Sequence, residues 1–127
     1  MPLMRLAQVM LFTVDTRRMA AFYTGALGLP VIDGDPQGGF VRLDAGGCAL
    51  ALHAVPPDVA DRIDIQDPPR AREDCAVKLA FHVDDIDAAR ASLAGRGARM
   101  GETRRFGDVA ICDGLDPEGN VFQITTR

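Results

Sequence analysis

The sequence has little of what marks a redox, nucleic-acid-binding or membrane protein. Its three cysteines, Cys48, Cys75 and Cys112, are odd in number and show no Cys-x-x-Cys spacing. That pattern argues against a disulfide framework and a zinc knuckle, and the three read as small core residues in a reducing cytoplasm. No run of Lys and Arg forms a stripe and the net charge is −4, so nucleic acid is not an expected partner. Acidity at this level serves solubility, and would also suit a cationic ligand. The apolar runs are far too short to cross a bilayer, and Met1-Pro2-Leu3-Met4-Arg5 lacks a charged segment leading into an apolar one. Neither a membrane span nor a signal peptide is expected. A Gly-rich phosphate loop, a Ser nucleophile elbow and a Cys–His arrangement are also missing, which leaves nucleotide binding and covalent Ser or Cys catalysis without support.

What is present is ordinary in bulk and specific in order. The 127 residues, 47% apolar and 25% charged, suffice for one domain or two small fused modules with a proper core. The most legible stretch is Asp116-Pro117-Glu118-Gly119-Asn120, a turn in which proline presets φ while Gly119 and Asn120 tolerate left-handed backbone. Val121 to Thr125 then alternate, Phe122 and Ile124 on one face and Gln123 on the other, as in a closing strand.

Taken in order, residues 6–14 predict a first strand and Asp15 an N-cap for a helix over about 17–27, with Met19, Phe22, Tyr23, Ala26 and Leu27 on one stripe. Gly28 is placed to end that helix. Strands are expected at 29–32, 40–43 and 48–54, so residues 1–55 read β-α-β-β-β. Residues 56–73 carry Pro56-Pro57, Pro68-Pro69 and a run of charges, and are taken as a linker with one short helix at 57–63. Residues 74–127 repeat the first pattern: a strand at 75–83, a helix capped by Asp84 or Asp85, and strands at 98–103, 108–112 and 121–126. A shift of seventy residues lays Gln8 on Lys78 and Asp15 on Asp85.

Phe22-Tyr23-Thr24-Gly25-Ala26-Leu27-Gly28-Leu29, the Phe81-His82-Val83-Asp84-Asp85 strand end and the Asp116–Asn120 turn together resemble the vicinal oxygen chelate superfamily, the glyoxalase, bleomycin-resistance and extradiol-dioxygenase group. The resemblance covers essentially all of 1–127 and implies an α+β fold. In it, two βαβββ modules form a curled mixed sheet, a cup around a small molecule, with homodimers common. Metal-using members draw ligands from the first and last strands of each module. Those positions fall here on Gln8, Ala51, Lys78 and Gln123. An alanine has no donor, an ammonium repels a cation, and Gln123 stands where a carboxylate is usual, so no metal and no other cofactor is expected.

Strand alternation places Gln8, Met10 and Phe12 on the implied cup face, with Ala49, Ala51 and His53, Lys78, Ala80 and His82, and Val121, Gln123 and Thr125. The expected ligand-binding set is therefore Gln8, Met10, Phe12, His53, Lys78, His82 and Gln123. Lys78 is the catalytic candidate, as a desolvated base or an anchor for an anionic substrate, against a plainer role at the rim with its stem on apolar surface. His53 and His82 are candidates for acid–base work or an unorthodox metal site, against a preferred reading as strand-end residues bonded near the surface. Two functions remain open. One is a metal-free protein binding a small molecule in the manner of bleomycin-type resistance proteins. The other is a glyoxalase-like lyase or isomerase acting on a small carbonyl substrate, in which Lys78 replaces the metal electrostatically.

Overall fold

The computed structural model of the chain describes residues 2–127. It divides into two compact units, Met1–Asp64 and Ile65–Arg127. In the first, β1 (Gln8–Thr13) leads to α1 (Thr16–Gly25), followed by β2 (Val31–Gly34), β3 (Phe40–Asp44), β4 (Ala49–Ala54) and the single turn α2 (Pro57–Ala60). The strands lie in the order β1-β4-β3-β2, with β1 parallel to β4 and the other pairs antiparallel. Asp15 starts α1 by accepting a hydrogen bond from the Arg18 amide, 3.0 Å away. Gly28, at φ +73°, turns the chain beyond its end, and Leu29 N donates to Tyr23 O over 3.0 Å. α1 packs on β3 and β4. Met19, Tyr23, Val41, Leu43, Leu50 and Leu52 form the buried layer between helix and sheet. Each such large side chain contributes about 1.5–3 kcal/mol on leaving water.

The second unit rebuilds the same plan from β5 (Leu79–His82), α3 (Ile86–Gly95), β6 (Arg99–Met100), β7 (Arg104–Phe106), β8 (Val109–Leu115) and β9 (Val121–Thr125). The order β5-β9-β8-β6, with β5 parallel to β9, matches the first sheet strand for strand, and β7 adds a further partner along β8. α3 occupies 86–95, seventy residues after α1, and Asp85 caps it as Asp15 caps α1. Ala110, Cys112, Phe122 and Ile124 face α3 and are buried with Ile86 and Leu93. This is the α+β architecture that the repeat implies.

Several local expectations are corrected. The strand expected at 75–83 spans only Leu79–His82, so Lys78 lies just before it, the strand expected at 29–32 runs Val31–Gly34, and the helix expected at 57–63 ends at Ala60. The strand expected at 98–103 stops at Met100, where Gly101 N turns to donate to Asp113 O at 2.8 Å; a separate strand resumes at Arg104. β8 runs on past Cys112 to Leu115. Of the cysteines only Cys112 is buried; Cys48 is half-buried and Cys75 exposed.

The Asp116–Asn120 turn is built on a buried carboxylate. Asp116 Oδ1 accepts from the Glu118 and Asn120 amides at 2.9 and 3.0 Å, and Oδ2 accepts from Asn120 Nδ2 at 2.8 Å. Gly119, at φ +83°, lies against the segment that precedes β5: Arg72 N donates to its carbonyl over 2.9 Å, and a Cβ there would run into the Arg70 carbonyl. Only glycine meets both demands.

Candidate functional site

Each sheet has one side covered by its helix and one open side, and the expected site residues fall on the open sides. In the first unit, Gln8, Met10 and Phe12 stand beside Ala49, Ala51 and His53, in register along the parallel β1–β4 pair. Gln8 is already engaged. Its Oε1 accepts from Arg42 Nε at 3.0 Å, and Arg42 Nη1 pairs with Asp33 Oδ2 at 2.7 Å. His53 lies between two phenyl rings, Phe12 and Phe40, each 5.7 Å away edge to face. Phe12 is 59% exposed and Met10 38%, so this face offers aromatic and thioether surface to solvent.

In the second unit the open face centres on a residue that sequence reasoning missed. Asp113, on β8, takes Lys78 Nζ on Oδ2 at 3.0 Å and Gln123 Nε2 on Oδ1 at 3.1 Å. Arg104 Nη2 approaches the same Oδ2 at 4.0 Å. Ile111 and Asp113 alternate with the buried Ala110 and Cys112, which is the signal that could have found it. The turn letters that follow Cys112 hid that signal by making the strand look shorter than it is.

His82, at the end of β5, is exposed and held from both ring nitrogens. Nδ1 stands 3.0 Å from the Arg127 carbonyl oxygen and Nε2 3.0 Å from Asp84 Oδ1. Both partners are acceptors, so the ring is best satisfied when both nitrogens carry protons. The Arg127 carbonyl first, and Asp84 second, raise its pKa above the usual 6.5. Thus His53 is an exposed side chain flanked by two rings, and His82 is tied to acceptors at a strand end.

A cleft of about 590 Å³ opens on this face, with His82, Gln123, Thr125 and Arg127 supplying its polar lining. A smaller hollow of about 300 Å³ lies where Lys78 and Asp113 meet Val121, Arg72 and Cys75.

The metal that many members of the superfamily use does not fit these residues. Gln8 is committed to Arg42, Ala51 offers no donor, Lys78 carries its own cation, and Gln123 turns an N–H toward Asp113. Among the described residues no three His, Cys, Asp or Glu side chains gather where one ion could be held. Divalent ions need imidazole, thiolate or anionic oxygen, and the carboxylate beside Lys78 and Gln123, Asp113, is shared between an ammonium and an amide.

Two sheets of like topology, each with one helix-covered and one open face, define a glyoxalase-type fold. Residues 8–125 match the model of the glyoxalase-like domain, and the chain belongs to that family, within the vicinal oxygen chelate superfamily. Among solved structures it is similar to SMU.1112c, at 26% identity over 98% of this chain and 99% of that one, with a TM-score of 0.73. It also resembles a lactoylglutathione lyase from Agrobacterium tumefaciens, at 22% identity over 98% and 94% of the two chains and a TM-score of 0.71. TnmS3, an antibiotic binding protein from Streptomyces sp. CB03234, shares 20% identity over 98% and 96%, with a TM-score of 0.68. The last two likenesses establish the fold. No curated protein matches the chain. Among the described residues no helix is long and apolar enough to cross a membrane.

Proposed function

We propose that this protein binds a small organic molecule on the open face of its sheets without a metal centre, as a drug-binding or resistance-type member of the family. The observation that carries this reading is the closure of Asp113 by Lys78 and Gln123. Two of the four positions where a metal site would be built are instead joined to one another through a carboxylate. A cleft of about 590 Å³ with apolar and polar lining lies within the size range of small-molecule sites. The likeness to an antibiotic binding protein supports the same reading. A lyase or isomerase would need Lys78 to polarise a carbonyl in place of a metal; here its ammonium is spent on Asp113 at 3.0 Å.

The proposal includes a homodimer, supported by apolar side chains left open on the first sheet at Met10, Phe12, Val31 and Ile32. It also places the protein in a reducing cytoplasm, which suits three free cysteines. A thermal-shift screen tests the binding reading, using a bleomycin-type glycopeptide, the methylglyoxal–glutathione hemithioacetal and aromatic acids, since a saturating ligand raises apparent stability. Stabilisation by a probe that is recovered unchanged supports binding. Turnover of the hemithioacetal that is lost in Lys78→Ala contradicts it.

A further inference from the structure

The charges on the second unit's open face are at odds with those of the chain as a whole. The chain is acidic, at −4. Yet among the described residues the only ionisable side chains lining the cleft are Arg127 and the imidazole of His82, with no carboxylate beside them, and Lys78 and Arg104 stand beyond it around Asp113. Among the described residues the carboxylates paired with these cations are Asp113, shared by Lys78 and Arg104, and Asp84, engaged with His82. The acids on either side of β7, Glu102 and Asp108, form ion pairs with none of these cations among the described residues. Arg105 is not part of the set, because it turns to the helix side and holds Asp87 with both contacts near 3.0 Å. The apolar lining of the cleft comes from Ala80, Val109, Ile111 and Phe106, whose ring is 60% exposed.

We infer that the ligand taken by this cleft is an anion with an apolar body, an aromatic carboxylate in particular, and not a cation. The inference deepens the small-molecule reading above and rests on it. Phe106, Ile111 and Val109 cover the ring system. The carboxylate lies toward Arg127, a guanidinium suited to holding two oxygens at once, with Gln123 and Thr125 as neutral donors beside it. A cationic ligand on the same apolar surface would meet the Arg127 guanidinium and find no carboxylate in the lining to pair with.

The test is isothermal titration of the full chain with three near-isosteric probes, 2-naphthoate, 2-naphthamide and 2-naphthylmethylammonium. Naphthoate is expected to bind about tenfold or more tightly than the amide, the increment of one charge-assisted contact, and the ammonium most weakly. Arg127→Gln brings naphthoate down to the affinity of the amide and leaves the amide unchanged, while Arg105→Gln leaves all three unchanged. An ammonium that binds as tightly as naphthoate overturns the inference and leaves small-molecule binding standing. Failure of all three probes, together with failure of the thermal-shift panel, overturns both. Failure of the three alone overturns the anion assignment.

Discussion

The Lys78 ammonium stands 3.0 Å from Asp113 Oδ2, and the opposite oxygen of that carboxylate takes the Gln123 amide at 3.1 Å. One acid thus occupies the two second-unit side chains most expected to meet a ligand or a metal. Its substitution has a distinctive signature. Asp113→Ala frees Lys78 and Arg104, so 2-naphthoate binding should strengthen several-fold by titration calorimetry. Stability in urea should change by no more than about 1 kcal/mol, because the pair is partly exposed and screened. Weaker naphthoate binding in this variant would show that Asp113 itself contacts the ligand.

The turn before β9 depends on Asp116 in a different way. This carboxylate is fully buried and accepts hydrogen bonds from the Glu118 and Asn120 backbone amides and from Asn120 Nδ2. Asp116→Ala leaves those donors without their partner away from water, and should cost about 2–4 kcal/mol in chemical denaturation. A loss below about 1 kcal/mol would mean that water replaces the carboxylate.

Gly119→Ala should destabilise by a similar amount, about 2–4 kcal/mol, for two additive reasons. An L-residue resists φ +83°, and the new methyl meets the Arg70 carbonyl, which is backbone and cannot swing aside. Amide exchange at Arg72, whose N–H donates to Gly119 O, should speed up by more than that at Ala110 or Ile124. Uniform acceleration across the unit would argue that the 70–72 segment is not fastened through this glycine.

His82 should titrate above 6.5 when followed by its ring-proton NMR signals, because the Arg127 carbonyl and Asp84 both favour the protonated ring. With the folded pKa raised, the contribution to stability is fully present below the unfolded value and fades as pH rises through the folded one. Asp84→Asn should lower the midpoint without abolishing the shift, since the backbone carbonyl is the larger cause. A midpoint at or below 6.5 in the parent protein would contradict the two hydrogen bonds.

Much of the fold was legible in the chain because local chemistry repeats in it. Asp15 and Asp85 cap helices seventy residues apart, Gly28 turns at the end of the first helix with φ +73°, and Phe122 and Ile124 alternate into a buried layer. These features depend on neighbours within a few residues. The site residues behave differently. Gln8 could be placed on the open side from alternation, but its bond to Arg42, thirty-four residues away, depends on how β1 and β3 flank β4. Asp113 meets Lys78, the residue just before β5, only because β9 alone lies between β5 and β8 in that sheet, and no local pattern encodes that order. β7 escaped notice because Arg104-Arg105-Phe106 is charged and short, and is defined by pairing with β8.

Small-molecule binding without a metal can be checked on protein purified without chelator. Metal content is determined by elemental analysis, and the thermal shift given by the best-binding probe is recorded with and without EDTA. A metal-free site should give zinc, nickel and iron far below one per chain and a ligand-induced shift that EDTA leaves unchanged. One metal ion per chain, with a shift that EDTA abolishes and the metal restores, would contradict it.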